Sequence, residues 1–142
     1  MKIKNFLIKD FSDYPLLFEK INIFKNNKTI VFLKGNLGSG KTTFVQKYLL
    51  HEYKYENVSS PTFGIINTYK INEIELYHYD LYRIKKSNEL YDIGFYDNLE
   101  INTIHLIEWP EIIPEKMCHP NIIINFESLI KERVISINTI DE

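Results

Sequence analysis

The amino-acid sequence predicts an α/β fold built on a mixed β-sheet with helices on both faces. A glycine-rich segment, residues 35–42, follows a β-branched apolar run at 29–33 that is typical of a buried strand. The apolar positions of residues 43–50, directly after it, have the spacing of a helix. Predicted strands outnumber helices elsewhere and some neighbouring pairs form hairpins, so we expect a mixed sheet with strand 29–33 near its centre.

Two elements are predicted before this unit. Residues 3–8 have the pattern of an edge strand. Ser12 and Asp13 are candidates to cap a helix N-terminus, with Pro15 in the first turn. Apolar residues keep a helical period from there to about residue 25, so a helix is expected over that stretch.

The second half of the chain is predicted to be rich in strands. A hairpin joins residues 65–69 to 74–80, with its tip at residues 72–73. In the second of these strands His78 and Asp80 point to the same face, because side chains alternate along a strand. The remaining predicted elements are a helical stretch at 87–99, a buried strand at 104–107, and strands at about 121–126 and 132–138.

Bulk properties limit the class of protein. The length of 142 residues suits a single domain, 1–142, which would bury about two-thirds of its unfolded surface. A net charge of −2 and a pI near 6.1 argue against a surface that binds nucleic acid by itself. Cys118 is the only cysteine, so no internal disulfide is possible. No apolar stretch approaches the roughly 20 residues of a membrane span, and no signal peptide is evident, so a cytoplasmic location is expected.

Residues 35–42 read G-N-L-G-S-G-K-T and match the phosphate-binding pattern G-x-x-x-x-G-K-[ST] in full. Glycines let successive backbone N–H groups point inward around phosphate oxygens. Lys41 supplies a positive charge for the β- and γ-phosphates, and Thr42 offers a hydroxyl to Mg²⁺. The chain is therefore predicted to be a P-loop NTPase. The residues expected to contact the nucleotide here are Asn36, Leu37, Gly38, Ser39, Gly40, Lys41, Thr42 and Thr43.

Two carboxylates follow predicted strands that would deliver them to this loop. Ligand sites of open α/β sheets lie beyond the carboxyl ends of the strands, where Asp80 and Glu108 are expected. Glu108 follows the more apolar strand and is the better candidate for the Mg²⁺ carboxylate. Asp80 could hold the same metal, orient the attacking water, or do both. Either acid could instead be an ordinary strand-end carboxylate.

Other polar residues have less specific patterns. Ser60 and Thr62 lie between the loop helix and the next strand, where many nucleotide hydrolases have a segment that responds to the γ-phosphate, although the same letters also form plain turns. His78 and His105 are more typical of core histidines than of ligands. No Cys/His spacing indicates zinc.

Arginine is scarce in this chain. Arg83 and Arg133 are the only two, whereas kinases of this fold clamp two phosphate-bearing substrates with several arginines. A kinase is therefore disfavoured, and Arg83 is the only candidate for an arginine finger near the site. The guanine-reading element N-K-x-D is absent from the sequence, so adenine is favoured over guanine.

Taken together, four segments resemble the bacterial tRNA threonylcarbamoyladenosine-biosynthesis ATPase family (TsaE). They are the phosphate loop and three short motifs, S-P-T-F at 60–63, Y-H-Y-D-L-Y-R at 77–83 and I-E-W-P at 107–110. The resemblance is colinear over roughly residues 5–140. The phosphate loop is generic, whereas the three short motifs at these intervals are close to diagnostic of the family.

The resemblance implies roles for individual residues. Lys41 and the loop amides would hold the phosphates of ATP, and Thr42 and Glu108 would hold Mg²⁺. Asp80 would be needed for hydrolysis and Thr62 would belong to the segment that responds to the γ-phosphate. The resemblance also places Trp109 beside the nucleotide, and Arg133 together with residues 11–12 towards the adenine.

The resemblance also implies partners. The chain would act with a Kae1-like catalytic subunit and its dimerisation subunit, which attach threonylcarbamoyl to the adenosine after the anticodon of ANN-decoding tRNAs. Contact with tRNA would be indirect, through that complex. Hydrolysis is expected to be weak alone, to rise in the complex, and to reset it between turnovers. Two alternatives stay open, a kinase and a nucleotide-dependent binding module whose hydrolysis is incidental.

Overall fold

The computed structural model describes residues 2–20, 28–56, 58 and 65–140. The strands are β1 (Lys2–Ile8), β2 (Thr29–Lys34), β3 (Ile66–Ile71), β4 (Ile74–Asp80), β5 (Ile104–Glu108), β6 (Ile122–Ser128) and β7 (Arg133–Thr139). The helices are α1 (Asp13–Lys20), α2 (Lys41–Tyr53), α3 (Glu89–Asp92) and α4 (Phe95–Leu99), with a 3₁₀ turn at Pro110–Ile112. Among the described residues, no helix has the length and apolar character needed to cross a membrane.

The strands form one seven-stranded sheet in the order β1-β7-β6-β2-β5-β4-β3. β2 pairs in parallel with β5 and β6, and β4 pairs in parallel with β5. The pairs β1–β7, β6–β7 and β3–β4 are antiparallel. The prediction of a mixed sheet with the strand of the phosphate loop at its centre is confirmed.

Each face of the sheet carries its own apolar layer. Along β2 the side chains alternate, so Val31 and Leu33 belong to one layer while Ile30 and Phe32 belong to the other. The first layer packs beneath the two longer helices, α1 and α2, and contains their buried residues Tyr14, Leu17, Phe18, Phe44, Val45, Tyr48 and Leu49. The second lies under α3 and α4 and contains Leu90, Phe95 and Leu99. Helices therefore cover both faces, as predicted.

Most predicted elements occur within one or two residues of their expected positions, and two details differ. The stretch 87–99 is two short helices instead of one, because Gly94 between them has φ +73°. The second difference concerns Asp13, which was a candidate to cap the N-terminus of the helix. Its carboxylate accepts hydrogen bonds from N–H groups that precede the helix, those of Lys9 at 2.8 Å and Asp10 at 3.2 Å. It thus stabilises the turn before α1. The predicted continuation of that helix to about residue 25 lies outside the described residues.

Candidate functional site

The loop between β2 and α2 has a backbone that only glycine fits well. Gly38 has φ +76° and Gly40 has φ +109°, both in the range that side chains disfavour. Gly35 is needed for a different reason, since a Cβ there would lie 2.9 Å from the backbone oxygen of Phe126 in β6. The N–H of Ser39 donates to the Asn36 carbonyl at 3.1 Å and closes the turn. A central strand, a tight loop and a helix thus follow one another in the order predicted from the sequence.

Lys41 is the first residue of α2 and its side chain folds back over the loop. Its ammonium donates to the carbonyl oxygens of Gly35 and, at 3.1 Å, of Asn36. The same Nζ lies 4.0 Å from the centroid of the Trp109 ring, a cation–π contact. Burial lowers the pKa of Lys41, and the negative charge of Glu108 partly opposes this shift. The lysine is therefore a poorly hydrated cation held at the mouth of the loop.

Thr42 and Glu108 face each other at the carboxyl ends of the central strands. The Thr42 hydroxyl lies 3.3 Å from Oε1 and 3.2 Å from Oε2 of Glu108, to which it donates. Glu108 is buried and also contacts His78, whose Nε2 is 2.5 Å from its Oε2. A hydroxyl and a carboxylate are hard oxygen donors of the kind that Mg²⁺ prefers. The chemistry of these two residues therefore fits the predicted role in holding Mg²⁺.

Asp80 stands beside Glu108 because β4 and β5 are parallel and in register there. The Asp80 carboxylate accepts the backbone N–H of Tyr82 at 3.1 Å. Burial raises the pKa of Asp80, and the charge of Glu108 raises it further, while the Tyr82 N–H, His78 and Lys41 act in the other direction. Asp80 therefore binds a proton more readily than an exposed aspartate does.

An aromatic pair forms the rim of the site. Trp109, directly after β5, has a left-handed backbone with φ +58°, which turns its ring towards the loop. The ring of Tyr82 packs against it at 4.9 Å between centroids, and Tyr82 itself is half exposed. Together these groups enclose a cavity of about 270 Å³. The residues lining it are Leu37, Gly38, Ser39, Gly40, Lys41, Thr42, Thr43, Asp80, Tyr82, Glu108, Trp109 and Arg133.

A second cavity, of about 310 Å³, shares Arg133 with the first. Its lining includes Phe11, Tyr14, Leu129 and the first residues after β1. Phe11 is 62% exposed, and Lys47 Nζ lies 4.3 Å from the centroid of its ring. Arg133 lies over the loop, since a Cβ on Gly40 would be 2.7 Å from Arg133 Nη1. The two cavities thus adjoin through one arginine.

The structure brings most of the predicted site residues together. All but one of the predicted loop residues line the first cavity, and so do Asp80, Glu108, Trp109 and Arg133. Asn36 is the exception and contributes its carbonyl oxygen to Lys41 instead. Thr62 and Ser60 lie outside the described residues. Arg83, the candidate for an arginine finger, does not line the cavity, whereas Arg133, which was predicted to lie towards the adenine, does.

Two residues of the site were missed as functional candidates from the sequence. Tyr82 lines the cavity, and His78 contacts Glu108. A signal was available for His78, since it lies two residues before Asp80 and points to the same face of β4. The contact itself depends on the pairing of β4 with β5, which the spacing of residues along one strand does not give.

Comparisons with known proteins agree with this architecture. The family model described as "Threonylcarbamoyl adenosine biosynthesis protein TsaE" matches residues 9–135. The chain is 46% identical over 101 residues to a tRNA threonylcarbamoyladenosine biosynthesis protein TsaE of Rickettsia felis, covering 70% of this chain and 58% of that protein. With the protein of the same name from Rickettsia prowazekii the identity is 41% over 122 residues, covering 85% and 82%.

A solved structure shares the fold. The crystal structure of YdiB from Bacillus subtilis superposes with a TM-score of 0.72, covering 99% of this chain and 87% of that one. The sequence identity in this superposition is 22%. The similarity therefore supports the mixed sheet and its helices, and nothing finer.

Proposed function

The chain belongs to the threonylcarbamoyl adenosine biosynthesis protein TsaE family, and on that basis we propose that it is an Mg²⁺-dependent ATPase subunit for forming threonylcarbamoyladenosine in tRNA. One observation carries the proposal. Lys41 and Thr42 of a glycine loop line a single cavity together with the carboxylates of Asp80 and Glu108. This is the set of groups needed to bind a nucleoside triphosphate and cleave its last phosphate.

The loop would bind the phosphates with its backbone and Lys41. Its N–H groups would cradle phosphate oxygens at the N-terminus of α2, where the helix dipole favours negative charge. The Lys41 ammonium would leave the carbonyl oxygens of Gly35 and Asn36 and contact the β- and γ-phosphates. It would then stabilise the charge that spreads over the γ-phosphate during cleavage.

Thr42 and Glu108 would hold Mg²⁺. When bound, the ion would neutralise charge on the β- and γ-phosphate oxygens. The Thr42 hydroxyl already donates its proton to Glu108, so both lone pairs of its oxygen are available to a cation. Glu108 would act as the acidic partner that orients this hydroxyl.

Asp80 is the proposed proton acceptor for the attacking water. Burial and the neighbouring Glu108 raise the pKa of its carboxyl group, which makes it a better base than a solvated aspartate. It lies beside Glu108 and lines the same cavity as Lys41 and Thr42. Thr62, outside the described residues, remains a predicted contributor of a hydroxyl near the γ-phosphate.

The second cavity is the proposed adenine site. Phe11 offers an exposed aromatic face on which a base can stack, and Arg133 links this cavity to the phosphate cavity. An ATP molecule would then span both cavities, with Arg133 beside the part of the nucleotide that joins the base to the phosphates. Adenine remains the expected base.

The proposed partners are a Kae1-like catalytic subunit and its dimerisation subunit, with tRNA reached only through that complex. Among the described residues the phosphate cavity is lined by one arginine, Arg133, which is shared with the proposed adenine site. A hydrolase without an arginine finger at the γ-phosphate can be slower by about 10³–10⁵. We therefore expect weak hydrolysis by the chain alone, faster hydrolysis in the complex, and a role for hydrolysis in resetting the complex.

Phosphate release from ATP by the purified chain tests the proposal, measured alone and with the partner pair plus tRNA. We expect a low rate that requires Mg²⁺, rises with the partners and is lost in Glu108→Gln. Glu100→Gln, which changes an exposed glutamate at the end of α4, is the matched control and should behave as the wild type. Transfer of the γ-phosphate to a hydroxyl compound in preference to water would instead indicate a kinase. A rate unaffected by the partners would contradict the proposed regulation.

A further inference from the structure

The buried imidazole of His78 contacts Glu108, the carboxylate that is proposed to hold Mg²⁺. His78 lies in β4 with no exposed surface, and its Nε2 is 2.5 Å from Oε2 of Glu108. An ionised carboxylate can only accept a hydrogen bond, so Nε2 carries the proton and donates it. The contact is therefore a short, charge-assisted hydrogen bond inside the protein.

The ring that makes this bond is held by packing. It stacks against Tyr69 of β3, with centroids 6.4 Å apart and 26° between the planes. In the ladders on either side, the backbone of His78 pairs with Asn67 and Leu106. No hydrogen-bond partner of Nδ1 is found within the described ranges. Among the described residues, Glu108 is thus the polar partner of the His78 side chain.

We infer that His78 is a positioning residue, which fixes the carboxylate of Glu108 so that it and the Thr42 hydroxyl face the phosphate cavity. The inference rests on the proposed function, because it assigns His78 a task in holding Mg²⁺ there. Glu108 ends its strand and has rotatable side-chain bonds that β5 alone does not fix. The His78 bond engages Oε2, and the Thr42 hydroxyl lies within hydrogen-bond distance of both Oε1 and Oε2.

The geometry explains why such a partner is useful at this position. Two donors, His78 and Thr42, together restrict the rotamer of the carboxylate, and the Thr42 oxygen keeps both lone pairs free for a cation. Groups that orient a metal ligand in this way typically change metal affinity or activity by about 10–100-fold when they are lost. We expect a change of that size for Mg²⁺ at this site.

His105 provides a matched control. It is also completely buried and lies on the neighbouring strand, β5. Its hydrogen bonds go elsewhere, to the Tyr79 hydroxyl at 2.9 Å from Nδ1 and to the Ile101 carbonyl at 2.9 Å from Nε2. A substitution at His105 therefore disturbs a buried histidine without changing the contacts of Glu108.

The experiment measures how strongly Mg²⁺ improves ADP binding, with Trp109 emission as the signal. Trp109 is the only tryptophan and lines the cavity. Kd for ADP is measured with a chelator and with Mg²⁺. The coupling factor is the first value divided by the second. His78→Asn places an amide near the position of Nδ1, out of reach of Glu108. His78→Gln can place its amide N–H near the position of Nε2.

We expect His78→Asn to lower the coupling factor by about 10-fold or more, with little change in ADP binding under chelation. His78→Gln should recover a large part of it, and His105→Gln should match the wild type. A coupling factor that His78→Asn leaves unchanged would overturn the inference while the proposed function stands. Equal losses in His78→Gln and His78→Asn would also overturn it. A wild-type coupling factor of one would instead refute the magnesium site, and the inference with it.

Discussion

Replacing Gly38 with alanine isolates the contribution of the loop backbone, because the added methyl group meets none of the described residues beyond its chain neighbours. A Cβ at residue 38 would have no heavy atom of those residues within 4 Å, and the same is true at Gly94. The two glycines also have nearly the same φ, +76° and +73°. The two substitutions therefore impose the same backbone strain, one in the phosphate loop and one between α3 and α4.

The size of the effect follows from these angles. A residue with a side chain costs about 1–2 kcal/mol in the left-handed region, and alanine recovers about 0.4–1 kcal/mol by restricting the unfolded chain. At Gly94 the flanking helices fix the backbone, so the free energy of unfolding should fall by about 1 kcal/mol. For a chain of this length that lowers Tm by about 4 °C.

At Gly38 the strain can be relieved in the free protein, because the loop is open to solvent. The strain returns when the loop adopts the conformation that binds phosphate. If all of the strain appears only in that bound state, ADP binding is weakened by about 5–30-fold. Because alanine again restricts the unfolded chain, the losses in unfolding and binding free energy should sum to about 1 kcal/mol, as at Gly94. Gly94→Ala should bind ADP as the wild type does. Gly38→Asn should lose less, since asparagine enters this region more readily.

Urea denaturation followed by circular dichroism gives the free energy of unfolding, and Trp109 emission gives Kd for ADP and Mg²⁺. The reasoning is refuted if Gly38→Ala matches the wild type in both measurements. Equal weakening of ADP binding by Gly38→Ala and Gly94→Ala would also refute it. That result would show that binding follows overall stability and not the shape of the loop.

Three further predictions concern other parts of the molecule. Burial lowers the pKa of His105 below its ordinary 6.5, so the folded protein favours the neutral ring. The contribution of this neutral ring to the free energy of unfolding is present above about pH 6.5 and is lost as the pH falls. Urea denaturation across this range should show that loss, and an equally steep decline in His105→Gln would contradict it. Burial raises the pKa of Cys118 to about 11, so alkylation followed by mass spectrometry should be slow in the native protein and fast in urea; rapid native labelling would contradict this. Lys41→Met removes the cation over Trp109, so it should shift the tryptophan emission and abolish its response to ADP, and a retained response would count against the phosphate role.

Local sequence signals predicted most of the fold. The alternation along β2 and β4, the loop pattern and the helical spacing after it are all properties of neighbouring residues, and the structure has each element where these signals indicate. The split at Gly94 also has a local signal, since a glycine interrupts the helical pattern of residues 87–99. The proposed roles of Asp80 and Glu108 depended on their positions at strand ends, and both line the cavity.

What the sequence missed depends on contacts between distant segments. His78 reaches Glu108 only because β4 and β5 are parallel with Asp80 opposite Glu108. Arg133, which the family resemblance places towards the adenine, also reaches the loop because β7 pairs with β6 beside the central strand, a relation that its position in the sequence does not reveal. Arg83 belongs to one of the motifs, yet it does not line the cavity. Register and strand order, and not residue preference, decide these cases.

The position of β1 in the sheet has a consequence for the order of folding. Its partner in the sheet is β7, where Phe6 lies opposite Ile135 near the other end of the described chain. Closing so long a loop adds only modestly to the entropy cost, but contacts between distant segments slow folding. During synthesis β1 emerges ahead of the other described strands and must wait until the β6–β7 hairpin has formed. Over that interval its apolar residues Ile3 and Leu7, still exposed in the folded sheet, present an unpaired strand to any neighbouring nascent chain.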